Sequence, residues 1–287
     1  MPWQPCCSWP QRLFLCILLC PLCLIGAACE EPDGLDPEVP PVTEGDWYRP
    51  GVTATWQWQL KETVQTGYDV AVYDIDLFDN TPQTIAALQA LNRKVICYFS
   101  AGSSEDWRED FSSFEAEDMG KNLDEWEGER WLDVRSTNVW TIMLARLDLA
   151  VSKGCDGVEP DNVDGFANDT GFDLASEDQL AFNRNLANEA HKRGLTVCLK
   201  NDGDQATDLV AYYDISLNEQ CHEMNECGQL QPFLDAGKPI FNAEYTQTEA
   251  EANTKATSLC PQALGENIRT LILPWELDDS YRVSCDI

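Results

Sequence analysis

The sequence predicts an α/β protein with the (β/α)8 architecture of a TIM barrel, and three observations lead to this prediction. Eight short apolar runs, rich in β-branched and aromatic residues, are spread along most of the chain. Amphipathic stretches lie between several of these runs, a pattern typical of parallel strands joined by right-handed crossovers. No glycine-rich turn follows the first run, so a barrel is favoured over its main competitor, the open nucleotide-binding sheet.

The eight runs predict the barrel strands in chain order. They are TWQWQL at 55–60, DVAVYDIDL at 69–77, KVICYFS at 94–100, GCDGVEPD at 154–161, LTVCLKND at 195–202, YDISLNE at 213–219, KPIFNAEY at 238–245 and TLILPWEL at 270–277. Helices are predicted for TPQTIAALQALNR, VWTIMLARLDLAVSKG and SEDQLAFNRNLANEAHKRG, because apolar residues recur there at helical spacing. The third connection is long, and we expect it to form an extended loop over one face.

Residues 1–29 have the features of an export signal. Arg12 precedes the apolar run LFLCILLCPLCLIGAA, which is too short for a convincing membrane-spanning helix. Small residues precede Cys29, so acylation of Cys29, as in bacterial lipoproteins, and ordinary cleavage nearby are both open. Residues 30–45 are acidic and rich in proline and glycine and predict a tether, which leaves 46–287 as the barrel domain. We expect a secreted or cell-envelope protein whose only membrane contact would be a lipid on Cys29.

The charge balance excludes one class of partner and favours another. The 287 residues include 50 acidic and 19 basic ones, which gives a formal net charge of −31. No basic stripe is present that could neutralise phosphates, so we expect no nucleic-acid partner. Such a chain would attract a cationic ligand. The same negative charge would also be explained by the need of an exported protein to stay soluble.

The sequence gives little support to metal or cofactor chemistry. Zinc sites need clusters of histidine or cysteine, and His191 and His222 are the only histidines. The acidic residues Asp74, Asp76 and Asp79 lack the spacing and the glycine of an EF-hand. Neither a P-loop nor a G-x-S-x-G elbow is present, and we expect neither a metal nor a cofactor.

Seven cysteines lie beyond residue 29. Two pairs are candidates for disulfides in an oxidising compartment. The cysteines of the first pair are close in sequence within a polar stretch, and those of the second pair flank the C-terminal segment. These pairs are Cys221 with Cys227 and Cys260 with Cys285. The other three cysteines lie in or beside apolar runs, so we expect them to be buried thiols, although a single disulfide between two of them stays open. They are Cys97, Cys155 and Cys198, of which the last two would form that bridge.

Acidic and polar residues gather at the C-terminal ends of the predicted strands. In a TIM barrel these ends form the mouth in which active sites are built. Surface acids would show no preference for one strand end, so the asymmetry favours a functional site, even though any single acid could cap the following helix. The strand-end residues include Asp74, Asp76, Glu159, Asp161, Lys200, Asn201, Glu219, Glu244 and Trp275.

Paired carboxylates with few histidines indicate glycoside hydrolysis, in which one acid protonates the leaving oxygen and the other attacks or stabilises the sugar cation. Aromatic side chains near the same strand ends and in the third connection support this prediction, since flat rings pack on sugars and attract cations. The aromatic candidates are Trp56, Trp58, Tyr98, Trp107, Trp126, Trp131, Tyr245 and Trp275.

Seven stretches together resemble glycoside hydrolase family 114, the endo-α-1,4-polygalactosaminidases. They are YDIDLFDN, RKVICYFSAGSSEDWRED, EWEGERWLDVR, GCDGVEPDNVDGF, GLTVCLKND, NEQC and NAEY, in that order, between residues 46 and 285. The resemblance implies a secreted (β/α)8 enzyme that cleaves internal bonds of α-1,4-linked galactosamine in partly deacetylated biofilm exopolysaccharides. Such a polymer is cationic where its amines are free, which agrees with the acidic mouth. We expect the protein to be a monomer.

The resemblance also assigns roles to individual residues. The family's two proposed catalytic carboxylates match Asp161 and the glutamate of NEQC, Glu219. By analogy with related barrel glycosidases, Asp161 is the nucleophile and Glu219 the acid/base, while retention and inversion stay open. The predicted substrate-binding residues are Asp76, Tyr98, Glu159, Asn162, Lys200, Asn201, Glu244 and Trp275. The family's cysteines match Cys221 and Cys227, which supports that disulfide.

Two other functions stay open from the sequence. One is a non-catalytic carbohydrate-binding lipoprotein on the same barrel, since one fold hosts many functions. The other is a hydrolase of a different amino-sugar polymer or of its N-acetylated form. A binding protein would tolerate loss of either carboxylate, whereas an enzyme would not.

Overall fold

Eight parallel strands form the curved sheet at the centre of the structure, and they coincide with the eight predicted runs. The computed structural model describes residues 35–286, so the predictions for the signal peptide and for Cys29 lie outside the described residues. The eight barrel strands are β1 (Trp56–Gln59), β2 (Val72–Asp76), β3 (Lys94–Ser100), β7 (Gly157–Asp161), β8 (Thr196–Lys200), β9 (Ile215–Glu219), β10 (Ile240–Thr246) and β11 (Arg269–Pro274). The other described strands are β4 (Ser103–Glu105), β5 (Met119–Asn122), β6 (Glu129–Leu132) and β12 (Val283–Ser284).

The main sheet curls until its two edges meet. Its order is β1-β2-β3-β7-β8-β9-β10-β11-β12, and every pair is parallel except β11 with β12. The carbonyl of Leu277, beyond β11, accepts hydrogen bonds from the amides of Leu60 and Lys61 at 3.0 and 3.1 Å. The Trp56 indole donates to the carbonyl of Arg269 at 2.8 Å. The predicted TIM barrel is confirmed.

Helices cover the outside of the barrel, and the three predicted ones are present. The helices are α1 (Pro82–Gln89), α2 (Thr137–Lys153), α3 (Ser176–Lys192), α4 (Ala206–Leu209), α5 (Cys221–Met224), α6 (Gln231–Asp235) and α7 (Glu249–Gly265). The hydroxyls of Thr81, Ser136 and Thr248 cap α1, α2 and α7 by accepting hydrogen bonds from first-turn amides. Within residues 35–286, no helix combines the length and apolarity that a membrane crossing would require.

The crossovers are less regular than the repeating pattern predicts. No helix connects β1 to β2 in the described chain, and the helices after β8 and β9 have only four or five residues. Short 3-10 helices occupy several connections. They are Phe111–Ser113, Ala116–Asp118, Gly165–Ala167, Gly203–Gln205 and Cys227–Leu230.

The long third connection is folded, whereas the sequence predicts an extended loop. Strands β4, β5 and β6 form a small antiparallel sheet of order β4-β6-β5. Each strand has only three or four residues, which is too short for alternation to be recognised in a sequence. This sheet positions Trp126 and Glu129, which line the candidate site.

The interior of the barrel is filled by its own apolar cluster, separate from the larger core between sheet and helices. Gly157 of β7 is required by this packing, since an added Cβ would lie 2.5 Å from Cδ1 of Ile96 and 2.7 Å from Cβ of Thr196. The cluster supports the polar site from below. It includes Trp56, Trp58, Val72, Ile96, Cys198, Ile215, Leu217, Phe241, Ala243, Leu271 and Leu273.

Three disulfides join described cysteines, and one of them corrects the sequence-based expectation. The two candidate pairs, Cys221–Cys227 and Cys260–Cys285, are confirmed. The expectation of buried thiols at 97 and 155 is wrong, because these two residues are bonded to each other.

The two faces of the sheet explain this third disulfide. Cys97 and Cys155 both belong to the core outside the barrel, whereas Cys198 belongs to the interior cluster. A Cys155–Cys198 bridge would have to pass through the sheet, so that alternative is wrong. Cys198 is the one free cysteine among residues 35–286 and is buried, as expected.

The Cys97–Cys155 disulfide closes a loop with a sequence separation of 58 residues. We expect the double variant Cys97→Ala, Cys155→Ala to lose about 2–4 kcal/mol of unfolding free energy, since the cross-link restricts the unfolded chain. Guanidinium unfolding would measure the loss. The matched control removes Cys221–Cys227, whose separation is 6 residues, and should lose less; an equal loss would contradict the loop-length argument.

The first described residues lie against α3, although they fall in the segment predicted as a tether. Asn188 of α3 donates to the carbonyl of Pro40 at 2.9 Å and accepts from the amide of Val42 at 2.7 Å. The hydroxyl of Tyr212 donates to the carbonyl of Val39 at 2.6 Å. Residues 39–42, within the segment 30–45 that the sequence predicts as a tether, are therefore hydrogen-bonded to the barrel.

Candidate active site

Alternation along the barrel strands decides which strand-end residues face the interior. Residues two apart on a strand share a face, and the interior face of β7 ends in Glu159 and Asp161. The interior faces of the next two strands, β8 and β9, end in Lys200 and Glu219. Three adjacent strands therefore bring three acids to one lysine.

Lys200 lies at the centre of this group. Its side chain is 3% exposed, and its Nζ lies 3.0 Å from Oδ1 of Asp161 and 3.1 Å from Oε2 of Glu219. A third carboxylate oxygen, Oε1 of Glu159, lies 3.5 Å away. Burial alone would lower the pKa of Lys200, but the three carboxylates raise that pKa well above its usual value. The lysine therefore stays charged and compensates several acids at once.

Asp161 accepts hydrogen bonds on both oxygens. The hydroxyl of Tyr98 donates to Oδ2 at 3.0 Å, and the amide of Asn162 donates to Oδ1 at 2.8 Å. Burial and the charge of Asp161 raise the pKa of Tyr98 well above its usual value, so Tyr98 remains a hydrogen-bond donor. Together with Lys200, these donors fix the orientation of the Asp161 carboxylate.

Glu219 is held by a different set of donors. The hydroxyl of Tyr245 donates to Oε1, and Nδ2 of Asn201 donates to Oε2 at 3.1 Å. Burial raises the pKa of Glu219, but Lys200, Tyr245 and Asn201 together outweigh burial, and the resulting pKa is below the usual value. Glu219 is therefore ionised in the ligand-free site at neutral pH.

A second carboxylate pair lies beneath Lys200. Asp74 and Glu159 are at most 1% exposed, and the Trp58 indole donates to Oε2 of Glu159 at 3.1 Å. Burial raises the pKa of Asp74 to about 7. Burial, followed by the charge of Asp74, raises the pKa of Glu159 well above its usual value. The pair therefore retains a proton at neutral pH, which reduces the negative charge that Lys200 must balance.

The central cavity, of about 150 Å³, lies above these polar groups and has aromatic walls. The rings of Trp126 and Trp275 stack with centroids 6.3 Å apart, and each side chain is 39% exposed. Exposed stacked rings of this kind fit the apolar face of a sugar. The lining includes Trp58, Leu60, Tyr98, Leu123, Trp126, Glu129, Asp161, Asn162, Lys200, Asn201, Glu219, Tyr245, Trp275 and Leu277.

Cavities on both sides extend the central one into a cleft. A cavity of about 320 Å³ shares Asp161 and Lys200 with it and adds the acids Asp124, Asp164 and Asp169. On the other side, a cavity of about 720 Å³ shares Tyr245 and Trp275 and adds Glu223 and Glu251. A cleft open at both ends accommodates a long polymer rather than only its terminus.

Strained backbone follows each of the three polar strands. Asn162, Asn201 and Gln220 have φ of 59°, 51° and 57°, in the left-handed region that costs a residue with a side chain about 1 kcal/mol or more. Gly102 is required beside one of them, because an added Cβ would lie 1.7 Å from the carbonyl oxygen of Asn162. Such strain is typical of sites whose geometry is held for function.

The structure brings most of the predicted substrate-binding residues together. The five that line the central cavity are Tyr98, Asn162, Lys200, Asn201 and Trp275. Glu159 lies just beneath it, in contact with Lys200.

Asp76 and Glu244 lie outside the cleft. Asp76 accepts from both terminal nitrogens of Arg108, at 3.2 and 2.6 Å, and from the amides that follow β2. Glu244 is 0% exposed and faces away from the barrel interior, where it pairs with Lys255 at 2.8 Å and accepts from the amide of His222 at 3.0 Å. Both carboxylates are occupied by protein partners, so the prediction that they contact substrate does not fit their positions.

The sequence predicts Tyr245, Trp58 and Trp126 as aromatic candidates without individual roles, and it does not predict Glu129. Tyr245 was an aromatic candidate without a role, yet it bonds Glu219 directly. Trp58 bonds Glu159, and Trp126 forms one wall. Glu129 also lines the central cavity, and burial together with Glu105 and Asp161 raises its pKa to about 7, against the opposing hydrogen bond from Ser103.

The only metal-ligating cluster of three among the described residues is Cys221, His222 and Cys227. Its two sulfurs are joined in a disulfide and are not available as thiolate ligands in this state. The cluster lies apart from the residues that line the central cavity.

Comparisons with known proteins agree with this geometry. Residues 37–287 match the model of glycoside-hydrolase family GH114. The crystal structure of Aspergillus fumigatus Ega3 in complex with galactosamine is similar, with a TM-score of 0.79 and 43% identity over 84% of this chain and 99% of that chain. The glycoside hydrolase domain of PelA from Pseudomonas aeruginosa shares the fold, with a TM-score of 0.64 and 16% identity over 82% and 99% of the two chains. No curated protein sequence matches the chain.

Proposed function

The chain belongs to glycoside-hydrolase family GH114, and from this membership we propose that it cleaves internal α-1,4 bonds of a cationic, partly deacetylated galactosamine exopolysaccharide of the kind found in biofilms. The single observation that carries the proposal is the placement of Asp161 and Glu219 on one lysine at the floor of an aromatic cleft. The galactosamine bound to the similar Aspergillus structure supports the sugar identity.

We propose a retaining mechanism, with Asp161 as the nucleophile and Glu219 as the acid/base. Oδ1 of Asp161 and Oε2 of Glu219 both contact Nζ of Lys200, at 3.0 and 3.1 Å, so these two oxygens are at most about 6 Å apart, which bounds the separation of the oxygens and not that of the carboxyl carbons. Carboxyl groups of retaining glycosidases are about 5–5.5 Å apart, whereas inverting enzymes need about 6.5–9.5 Å to hold a water between them.

The reaction then has two steps. The Asp161 carboxylate attacks the anomeric carbon while Glu219 gives a proton to the glycosidic oxygen, so the C–O bond breaks and a glycosyl ester forms. In the second step Glu219 takes a proton from water, and the water oxygen attacks the anomeric carbon and releases Asp161. The products are two shorter chains, one with a new reducing end.

The acid role of Glu219 requires a proton that the ligand-free site does not hold. The pKa of Glu219 is lowered there, against the raising effect of burial, chiefly by Lys200. We propose that a bound sugar separates Glu219 from the lysine, after which burial raises the pKa toward the range of a general acid. Asp161 keeps its bonds to Tyr98 and to the Asn162 amide during this change.

The acidic walls of the cleft support a cationic substrate. Acids lie on both sides of the central cavity, and the whole chain has a formal net charge of −31. A polymer with free ammonium groups would be attracted to this surface, and its binding would weaken as salt concentration rises.

Export and location are part of the same proposal. An export signal at residues 1–29 and three disulfides support a secreted or cell-envelope protein in an oxidising compartment. Anchoring through a lipid on Cys29 and a monomeric state complete the proposal. Mass spectrometry of the mature N-terminus would show either an acylated Cys29 or a plain cleaved end.

Reducing-end release from purified, partly deacetylated galactosaminogalactan tests the function. We expect short oligosaccharides of several lengths from early times, since an endo-acting enzyme cleaves at random along the chain. A fully N-acetylated polymer and a neutral α-1,4-galactan serve as matched substrates. Binding without release would favour a carbohydrate-binding protein, and faster cleavage of the acetylated polymer would favour another amino-sugar substrate.

A further inference from the structure

A separate cavity of about 190 Å³, here called the acidic cavity, lies beside the cleft at the same end of the barrel. It shares Asp164 and Asn201 with the cavity of about 320 Å³ that adjoins the catalytic residues. The polar residues on which the inference rests are Asp164, Asn201, Asp202, Asp204, Asn218 and Glu226. None has a role in the bond cleavage described above, with the exception of Asn201.

The acidic cavity has four carboxyl groups and no basic residue in its lining. Each neighbouring cavity of the cleft includes a lysine, namely Lys200, Lys121 or Lys255. Burial and the repulsion between negative charges that lack a cation both raise the pKa of a carboxyl group. Burial and Asp164 raise the pKa of Asp202 to about 9, and burial and Asp161 raise the pKa of Asp164 to about 6.

Two buried side chains in the lining have oxygens without donors. Asp202 is 5% exposed; its Oδ2 accepts from Asn183 at 3.0 Å, whereas its Oδ1 has no hydrogen-bond partner. Asn218 is 3% exposed, and its Oδ1 also lacks a partner. Buried oxygens without donors are costly, so a ligand donor that meets them after a change of side-chain rotamer would stabilise them.

These features point to a cation that brings hydrogen-bond donors. An ammonium group has three N–H donors, so its acceptors need not converge on one point as the ligands of a metal ion do. A metal ion needs converging ligands, and within residues 35–286 no three of these carboxylates bring oxygens within 4.8 Å of one another.

We infer that the acidic cavity is a subsite that binds the ammonium group of a galactosamine residue beyond the bond that is cleaved. The inference rests on the proposed function, because that polymer supplies the ammonium. A subsite outside the reacting centre adds binding energy without contacting the bond that breaks. It therefore selects chains with a free amine at one defined position.

The test uses Glu226→Gln combined with Asp204→Asn, two residues at the more exposed side of the cavity. With partly deacetylated polymer we expect KM to rise about tenfold, as for the loss of one charge-assisted contact, while kcat stays within about twofold. Asp202→Asn is the second variant, with thermal unfolding as a check because Asp202 also holds Asn183. Glu177→Gln, an exposed charge on α3, is the matched control and should change neither constant.

The other outcomes separate the failure modes. An active wild type with an unchanged KM in both variants would overturn the subsite and leave the proposed function standing. A rise in melting temperature of the wild type with calcium, lost in the variants, would make the cavity a metal site and overturn the ammonium assignment. A wild type that releases no reducing ends would overturn the proposed function, and the subsite with it.

Discussion

Glu219→Gln and Asp161→Asn are each expected to lower kcat on the galactosamine polymer by about 10²–10⁴-fold, because each removes a group that reacts with substrate. Binding should persist, since the aromatic walls and the other acids of the cleft remain. Reducing-end kinetics measure the loss, and calorimetry with a long polymer measures binding. Circular dichroism must show that both variants are folded.

Azide separates the roles of the two carboxylates. In Glu219→Ala, azide should attack the glycosyl ester of Asp161 and give the α-glycosyl azide, with the configuration of the substrate. In Asp161→Gly, azide should take the place of the missing carboxylate and give the β-azide. The opposite products would exchange the two roles and overturn our assignment.

Glu129→Gln is the matched control within the same cavity. Its carboxyl group lines the central cavity and has a pKa raised to about 7, a value suited to a general acid. We expect kcat to fall by less than about tenfold, because within residues 35–286 Ser103 donates to Glu129 but no lysine or arginine forms an ion pair with it, unlike Asp161 and Glu219, which both pair with Lys200. A loss as large as that of Glu219→Gln would move the acid role to Glu129.

The barrel could be predicted because apolar, β-rich runs alternate along the chain with stretches that have apolar residues at helical spacing. The alternation of side chains along each strand could also have predicted which strand-end residues face the barrel interior. Phe241 and Tyr245 of β10 share a face, so an interior Phe241 places Tyr245 at the site and Glu244 outside it. The same rule separates Cys97, on the outer face of β3, from the interior Cys198.

Other parts of the site depend on contacts that a linear pattern does not contain. Asp76 stands at a strand end like the functional acids, but its partner Arg108 is 32 residues further along the chain. Trp126 and Glu129 come from the third connection, whose strands are too short to show a period. The roles of Asp161 and Glu219 came from family resemblance, since strand-end position alone did not distinguish them from the other acids.

Lys200→Met should affect both activity and stability, because one cation compensates three carboxylates that are at most 28% exposed. Removing one partner of a buried ion pair costs about 3–5 kcal/mol, since the remaining charges are left unpaired. We expect a loss of that size in unfolding free energy at pH 7. The exposed pair of Lys121 with Asp169 is the control, and Lys121→Met should cost less than about 1 kcal/mol.

The pH dependence of this loss has a definite sign. In the wild type the folded-state pKa of Glu219 is depressed, so Glu219 contributes stability above its unfolded pKa, and this contribution disappears as pH falls through the folded value. Without Lys200, burial raises the pKa of Glu219 above the unfolded value, so Glu219 destabilises the variant at neutral pH and ceases to do so in acid. The difference in unfolding free energy between wild type and variant should therefore begin to narrow above about pH 4.3, as pH falls through the raised pKa of the variant, and should narrow further below about pH 4.3, as pH falls toward the depressed pKa of the wild type.

Activity should follow the same electrostatics. The pH profile of kcat/KM reports the pKa of Glu219, and the limb that Glu219 sets should move to higher pH in Lys200→Met, because Lys200 lowers this pKa in the wild type. An unchanged pH profile with a full loss of stability would show that Lys200 supports the fold but does not tune the catalytic carboxylates.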